Sequence, residues 1–559
     1  MSRLVRRALI LAAGASTLLA TGPGLTAAQA SVETKFAGIN HIVVIYEENH
    51  SFDNLYGGWE GVNGRANATT LQVDQNGNAY SCILQNDVNL TSPPQPVACS
   101  GVTVKGVPYN SDFANAPFNI GAFIPSSAQT CPQPGVFAPH GLTPSPNNLP
   151  GGCTADIVHR FYQEQYQLNN GAQNRYTTGS DAVGLTLGYY DTTQLPIYKY
   201  LHADGAPHYA IADDFFQGAF GGSFLNHQWL IAAATPAWPG IPSGQHSIVD
   251  ANGFPNASYP LYKPATPVND SRGTQACGLA TTNPNVACGD FAVNTIQPAF
   301  QPFQQGAIQL PAQTGTTIGD ELTAGGVSWA WYSGGWSNAD GDVSGPGWTN
   351  GDGTAGCTDP NSAPNPTWPH CPNKVFQFHH QPFNYFANYA PGTPGRSHLQ
   401  DEAAFIAAAN ASGSTCQLNQ VSFVKPVGLE NEHPGYTSEN RGSDHLVDLL
   451  TAINGSACRK DTMVVVTYDE FGGQWDHVAP PGQGNTAGPH DVWGPGTRIP
   501  ALILAPRLAG DFVVDHTQYD TTSILATIEH RYGLSALGSR DAAVNDLSKV
   551  FSARSPFDS

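Results

Sequence analysis

Two short acidic segments stand out among the residues that could do chemistry. Glu48-Asn49 and Asp469-Glu470 each directly follow an apolar run. Carboxylate and amide oxygens together suit a hard or borderline divalent cation. One such pair alone reads as a helix cap or a solvated turn. Two pairs at equivalent positions predict one shared metal site. A second feature is Phe220-Gly221-Gly222-Ser223-Phe224-Leu225-Asn226-His227. Glycines ahead of a serine let the backbone turn tightly and present the hydroxyl at a helix start. A metal there would lower the hydroxyl's pKa and ready it to attack phosphorus. By itself Gly-Gly-Ser is a common loop and cap, and it is not the G-x-S-x-G elbow of serine esterases. The third feature is a set of histidines, His159, His379, His380, His433 and His477, in polar-aromatic settings such as His379-His380-Gln381-Pro382-Phe383 and Glu432-His433-Pro434. A lone histidine is more often structural. A group of them can supply imidazolium donors to phosphate oxygens and a general acid for a leaving group.

These groups need a scaffold that brings distant segments together. Ile42 to Tyr46 is a compact apolar run, which predicts a parallel strand buried on both faces and ending at Glu47-Glu48-Asn49. Met463 to Tyr468 repeats the pattern and ends at Asp469-Glu470, and Ile499 to Leu504 is a third such strand after Gly494-Pro495-Gly496. Helical patterns lie at His398 to Asn410, Asp444 to Ile453 and Ser523 to Tyr532. Alternating strands and helices predict an α/β fold, a mostly parallel sheet sandwiched by helices. In such sheets, sites form beyond the carboxyl ends of the strands, where both acidic pairs fall.

Two stretches, near 63–151 and 236–372, are rich in Gly, Pro, Asn, Ser and Thr and hold most of the ten cysteines. They are expected to be loop-rich, disulfide-stapled insertions on a single catalytic domain spanning 31–559. The Trp-rich stretch Trp329 to Trp348 argues against disorder there. No C-x-x-C pair occurs, which argues against a thiolate zinc site. Arg3, Arg6 and Arg7, the apolar run Ala8 to Ala20 and the small-x-small site Ala28-Gln29-Ala30 predict a signal peptide over 1–30, with cleavage near Ala30 and a secreted or periplasmic protein. The run is too short to span a bilayer, and no later run reaches that length, so stable membrane insertion is not expected. The formal net charge of −20 repels nucleic acid at long range, so nucleic acid is excluded as a partner. A site for phosphate then needs a local positive field, of which a metal ion is the natural source.

Longer matches carry a resemblance. Glu47-Glu48-Asn49-His50-Ser51-Phe52-Asp53-Asn54-Leu55-Tyr56-Gly57 and Tyr468-Asp469-Glu470-Phe471-Gly472-Gly473-Gln474-Trp475-Asp476-His477-Val478 resemble the opening and late signatures of the bacterial phospholipase C / acid phosphatase family. Glu432-His433-Pro434-Gly435 and Gly494-Pro495-Gly496-Thr497-Arg498-Ile499-Pro500 resemble further blocks, in the family's order, over roughly residues 38 to 535. The resemblance implies an alkaline-phosphatase-like fold and metal ligands at Glu48, Asn49, Asp469, Glu470 and Ser223, with Ser223 as the nucleophile. It implies an asparagine donor to the phosphoryl group at Asn226. His159, His379, His380 and His433 fall on or near the family's active-site histidines, and Asp476 and His477 would orient the ligands from behind. The turn Gly-Gly-Ser-Phe-Leu-Asn-His is closer to the acid phosphatase branch than to the Gly-Pro-Thr-like turn of the phospholipases.

The expected function is therefore a secreted metal-dependent phosphoesterase. It would be an acid phosphatase that hydrolyses phosphomonoesters through a phosphoserine, with one divalent metal ion, Ca, Zn or Mg. The alternatives are a phospholipase C acting on phosphatidylcholine with the same residues, and a non-catalytic secreted binding protein on the same fold. Substrates are expected among small phosphate esters or phospholipid headgroups.

Overall fold

The valine-rich runs build the centre of a sheet. The computed structural model describes residues 35–84, 98–111, 113–122, 125–127, 156–251, 253–255, 259–278, 286–303, 307–340, 376–434 and 436–557. The predicted signal peptide over 1–30 lies outside them, as do Cys131, Cys153, Cys357 and Cys371. Eight strands form the main sheet: β1 (His41–Glu47), β2 (Tyr209–Ala212), β3 (Trp329–Ser333), β4 (Leu399–Asp401), β5 (Val421–Lys425), β6 (Thr462–Tyr468), β7 (Ala501–Leu504) and β8 (Phe512–Asp515). Their order is β8-β2-β7-β6-β1-β5-β3-β4. β1 and β6 sit side by side at the middle, and Ile42 to Tyr46 and Met463 to Val466 are almost fully buried. Burial on both faces is why these strands read as continuous apolar runs.

Among the described residues, seven α-helices longer than four residues flank the sheet: α1 (Phe161–Leu168), α2 (Pro196–Leu201), α3 (Ser223–Ala232), α4 (Ile318–Ala324), α5 (Glu402–Ala411), α6 (Glu439–Asn454) and α7 (Thr522–Tyr532). Helix α6 packs on α2 and α5, whereas α3 packs on α4 and α7. Successive β1 residues alternate between these two groups. The Tyr46 hydroxyl donates to the Asn226 carbonyl of α3, while Glu47 turns toward Glu432, which lies against α6. All ten residues of α3 are buried, so this helix lies inside the molecule and not along its surface.

The structure departs from the sequence reading in three places. The strand expected at Ile499 to Leu504 starts at Ala501 and runs antiparallel to both its neighbours, β6 and β2. Between Tyr468 and Ala501 the chain forms turns, bends and isolated bridges, with no crossover helix, so it re-enters the sheet from the edge it left. The helix expected from His398 begins at Glu402, because Leu399–Asp401 pairs as β4 and the Asp401 side chain caps the helix by accepting from the Ala403 amide. The second predicted insertion also gives part of itself to the core, since α4 and β3 lie within it. A five-residue aromatic strand, Trp329–Ser333, is diluted in composition by the Gly/Pro-rich chain around it.

Disulfides join Cys82 to Cys99, Cys277 to Cys288 and Cys416 to Cys458, and no free cysteine occurs among the described residues. The first two staple loop-rich chain, as expected. The third ties the end of α5 to the turn before β6. No helix among the described residues is long and apolar enough to cross a membrane.

Candidate active site

The register of β1 against β6 assembles the centre. The pairing runs from His41 with Thr462 to Glu47 with Tyr468. Glu48-Asn49 and Asp469-Glu470 therefore leave the carboxyl edge of the sheet side by side. The Asn49 amide donates to Asp469 Oδ1 at 3.1 Å across 420 residues of sequence. Asn49 holds a left-handed backbone (φ 62°), which asparagine tolerates better than most residues. Gly472 is required by this crossing, since a Cβ on it would stand 2.3 Å from the Asn49 carbonyl.

Ser223 begins α3 and points at the same place. Gly221 makes the turn with φ 89°, and a Cβ there would lie 2.6 Å from the Phe161 nitrogen. The Ser223 hydroxyl faces Asn49 Oδ1 at 3.2 Å, Glu470 Oε1 at 3.3 Å and Glu48 Oε2 at 3.5 Å. Four of the five expected metal ligands thus meet around one hydroxyl, and Asp469 joins them through Asn49. Asn226 does not join them. Its Oδ1 accepts from the Ala219 amide and its Nδ2 donates to the Gly221 and Gly222 carbonyls, so in this structure the side chain braces the turn that carries Ser223.

The charges around this hydroxyl are unbalanced. Burial opposes ionisation of Glu48, yet Lys425 and His380, each 2.6 Å from its Oε1, hold its carboxyl well below the usual range. Burial and the nearby Glu48 charge push Asp469 up to about 8. Burial and Asp469 raise Glu470 well above the ordinary range. Among the described residues, these three fully buried carboxylates face a single ammonium, Lys425. Asp469 Oδ2 has no hydrogen-bond partner. An oxygen-rich, buried set short of positive charge fits a divalent cation. Glu48, His227 and His380 also bring ligand atoms within 4.8 Å of one another. That side of Glu48 already holds the Lys425 ammonium, so a cation fits better on the Oε2 side, toward Ser223.

The histidines divide into two kinds. His159, Ser223, His379 and His433 line a cavity of about 430 Å³ together with Phe224 and Tyr436. Nδ1 of His159 lies 2.5 Å from the Ile157 carbonyl and Nδ1 of His433 lies 2.7 Å from the Pro434 carbonyl. A carbonyl can only accept, so Nδ1 carries the hydrogen and Nε2 turns to the site. Those Nε2 atoms flank Asn49 Nδ2 at 3.4 and 3.1 Å, and His159 Nε2 lies 3.2 Å from Glu470. His379 is buried with both ring nitrogens unpartnered, and burial with the adjacent His380 holds its pKa well down. His380 instead grips Glu48, and burial depresses its pKa to about 4. Adjacent in sequence, the two rings do different work.

Asp476 and His477 lie behind the centre. Asp476 bonds Arg498 and accepts from the Asp53 amide, and His477 Nδ1 lies 2.6 Å from Asp53 Oδ2. Lys425 and Arg498 were not singled out by sequence reading. Lys425 had a usable signal, because it ends a buried strand just as Glu47 and Tyr468 do. His227, buried beside Asp469 with Nδ1 2.7 Å from the Ser223 carbonyl, falls inside the serine motif, whose sequence pattern assigns it no role.

Known proteins are similar to most of the length of the chain. The sequence matches the Phosphoesterase family over residues 39–535. The chain belongs to that family. It is similar to phospholipase C A of Mycobacterium tuberculosis, at 24% identity over 93% of this chain and 78% of that protein. It is also similar to phospholipase C B of the same organism, at 32% identity over 25% of this chain and 30% of that protein. A solved structure from Vibrio parahaemolyticus, of a protein in the alkaline phosphatase superfamily, overlaps 41% of this chain and 52% of its own at 17% identity, with a TM-score of 0.21. As a member of the Phosphoesterase family, this protein is a hydrolase of phosphoric ester bonds.

Proposed function

We propose that the protein is a secreted acid phosphatase that hydrolyses phosphomonoesters through a phosphoserine on Ser223. The observation that carries this is the Ser223 hydroxyl, set among Asn49, Glu470 and Glu48 oxygens at 3.2–3.5 Å on the wall of an imidazole-lined cavity. Glu48, Asn49, Ser223, Asp469 and Glu470 would hold one divalent cation. When bound, such an ion lowers the pKa of the serine hydroxyl and withdraws charge from phosphoryl oxygens. The chain's own groups do the rest. Ser223 Oγ attacks phosphorus in line, its proton passing to a neighbouring carboxylate. The oxygen–phosphorus bond forms as the ester bond breaks. His159, His379 and His433 turn imidazole nitrogens toward the phosphoryl group, and one of them, once it has taken up a proton with the bound phosphate, gives that proton to the leaving alkoxide. The same imidazole then takes a proton from water, whose oxygen attacks the phosphoserine; the phosphorus–Ser223 oxygen bond breaks, the carboxylate returns its proton to Ser223 Oγ, and phosphate leaves.

A second reading, a phospholipase C, is favoured by the names of the relatives and by the apolar side of the cavity, Phe224, Val293 and Ile296. The deciding assay compares p-nitrophenyl phosphate, bis(p-nitrophenyl) phosphate and phosphatidylcholine vesicles. Turnover concentrated on the monoester supports the phosphatase. Diacylglycerol release as the dominant activity replaces it with the lipase. Export rests on the predicted signal at 1–30, and the disulfides support it, since bridges persist in oxidising compartments.

A further inference from the structure

Glu164 of α1 is fully buried, and it forms no ion pair with Lys, Arg or His among the described residues. Its two oxygens take four donors. The Gly221 amide reaches Oε2 at 2.5 Å and the Gln217 side-chain amide at 2.9 Å. The Thr497 amide and hydroxyl reach Oε1 at 2.7 and 2.8 Å. Gln217 carries the connection further. Its Nε2 also donates to the Ala219 and Gly221 carbonyls, and its Oε1 accepts from the Phe471 amide at 3.0 Å. The Glu164–Gln217 pair therefore bonds the turn two residues before Ser223, the residue directly after Glu470, and the Thr497 strand entry. A Cβ on Gly496 would stand 2.5 Å from Glu164 Oε1, so the fit is tight.

This pair is costly as a stability device. A buried carboxylate without a counter-charge is unfavourable, and burial pushes the Glu164 carboxyl up to about 7 against the pull of its four donors; when ionised, Glu164 also adds to the charge repelling Glu470. A glutamine would avoid that charge. Only a carboxylate, however, presents two acceptor oxygens and no donor to these four N–H and O–H groups, whereas an amide would turn an NH2 against one pair of them.

We propose that Glu164, acting through Gln217, is a positioning residue that sets the Ser223 turn against the Asp469–Glu470 segment. The inference rests on Ser223 being the attacking group. Its test is Glu164→Gln in the full chain, assayed on p-nitrophenyl phosphate beside Ser223→Ala, with metal content and inhibition by vanadate measured for each. The expected result is a kcat about 10²-fold lower, as for a small misplacement of reacting groups. KM should stay within about threefold and metal content unchanged, while vanadate inhibition weakens by about the same factor as kcat. A kcat within about threefold of the parent overturns the inference, as does a loss that only follows a reduced folded fraction. If Glu164→Gln does not fold, Gln217→Met removes the other half of the pair and must show the same split. Failure of both to fold assigns the pair a purely structural role and also overturns it. The underlying reading fails separately: an active Ser223→Ala removes the nucleophile, whereas an inactive Ser223→Ala with a fully active Glu164→Gln removes only the positioning role.

Discussion

Two clusters of carboxylates and histidine sit in the same pair of sequence motifs and behave differently. The outer one, Glu48, Asp469 and Glu470 with its imidazoles, surrounds Ser223. The inner one, Asp53, Asp476 and His477, also brings potential ligand atoms within 4.8 Å of one another. Arg498 separates their fates. Fully buried, it bonds both Asp476 oxygens and Asp53 Oδ1, and it gives its remaining N–H groups to the Asn63 and Asp213 carbonyls at 2.7 Å. The inner cluster thus carries its own counter-charge in a planar fork that matches carboxylate geometry. Among the described residues, the outer cluster has only the Lys425 ammonium, spent on one oxygen of Glu48 and on the Tyr46 and Glu47 carbonyls. Ligand-type residues at short range do not define a cation site. The decisive quantity is whether the fold supplies the positive charge itself.

The comparison can be broken at several points. The largest effect is expected at Ser223. Ser223→Ala should lower kcat on the order of 10⁴-fold while fold and metal content stay near the parent's, because no other group can form the phosphoenzyme. Steady-state kinetics beside metal analysis checks this, and activity within roughly tenfold of the parent would mean that water attacks directly. Next comes the metal. Elemental analysis should find about one divalent ion per chain, and chelation should lower activity on the order of 10³-fold, restored by adding the ion back. Two ions per chain would sink the contrast between the clusters. The inner cluster should answer in stability instead. Arg498→Met strands two buried carboxylates and should cost about 3–5 kcal/mol in denaturant unfolding. A neutral result would show that Asp53 and Asp476 are not ionised beside it. The smallest effect is expected at Asn226. Asn226→Ala should cost about 1–3 kcal/mol of stability by orphaning the Ala219 amide. A selective rise in KM with unchanged stability would instead return Asn226 to the phosphoryl group.

The parts legible in sequence were those set by local pattern. The valine and isoleucine runs of β1 and β6 announced strands buried on both faces, and the acid pairs at their ends announced the edge where chemistry gathers. The insertions were visible as composition, but β3 was not, because five aromatic-rich residues are averaged away in a Gly/Pro-rich window. The direction of β7 depended on a connection without a helix, which periodicity does not report. Lys425, Arg498 and the Glu164–Gln217 pair were missed for one reason. Their partners lie far off in sequence: Arg498 meets Asp53 across 445 residues and Lys425 meets Tyr46 across 379. The neighbours His379 and His380 could not be told apart, since only the packing shows which ring grips Glu48 and which faces the cavity.

The pairing of β1 with β6 has a consequence for how the enzyme comes into being. A ribosome makes the first half of the centre early and the second half some 420 residues later. Between those moments Glu48 and Asn49 have no partner strand. Such long-range pairing is slow, and it exposes unsatisfied strand edges while it waits. If the Ser223 centre is the site of hydrolysis, activity requires that the two central strands have met, so its recovery on refolding would report the pairing of β1 with β6.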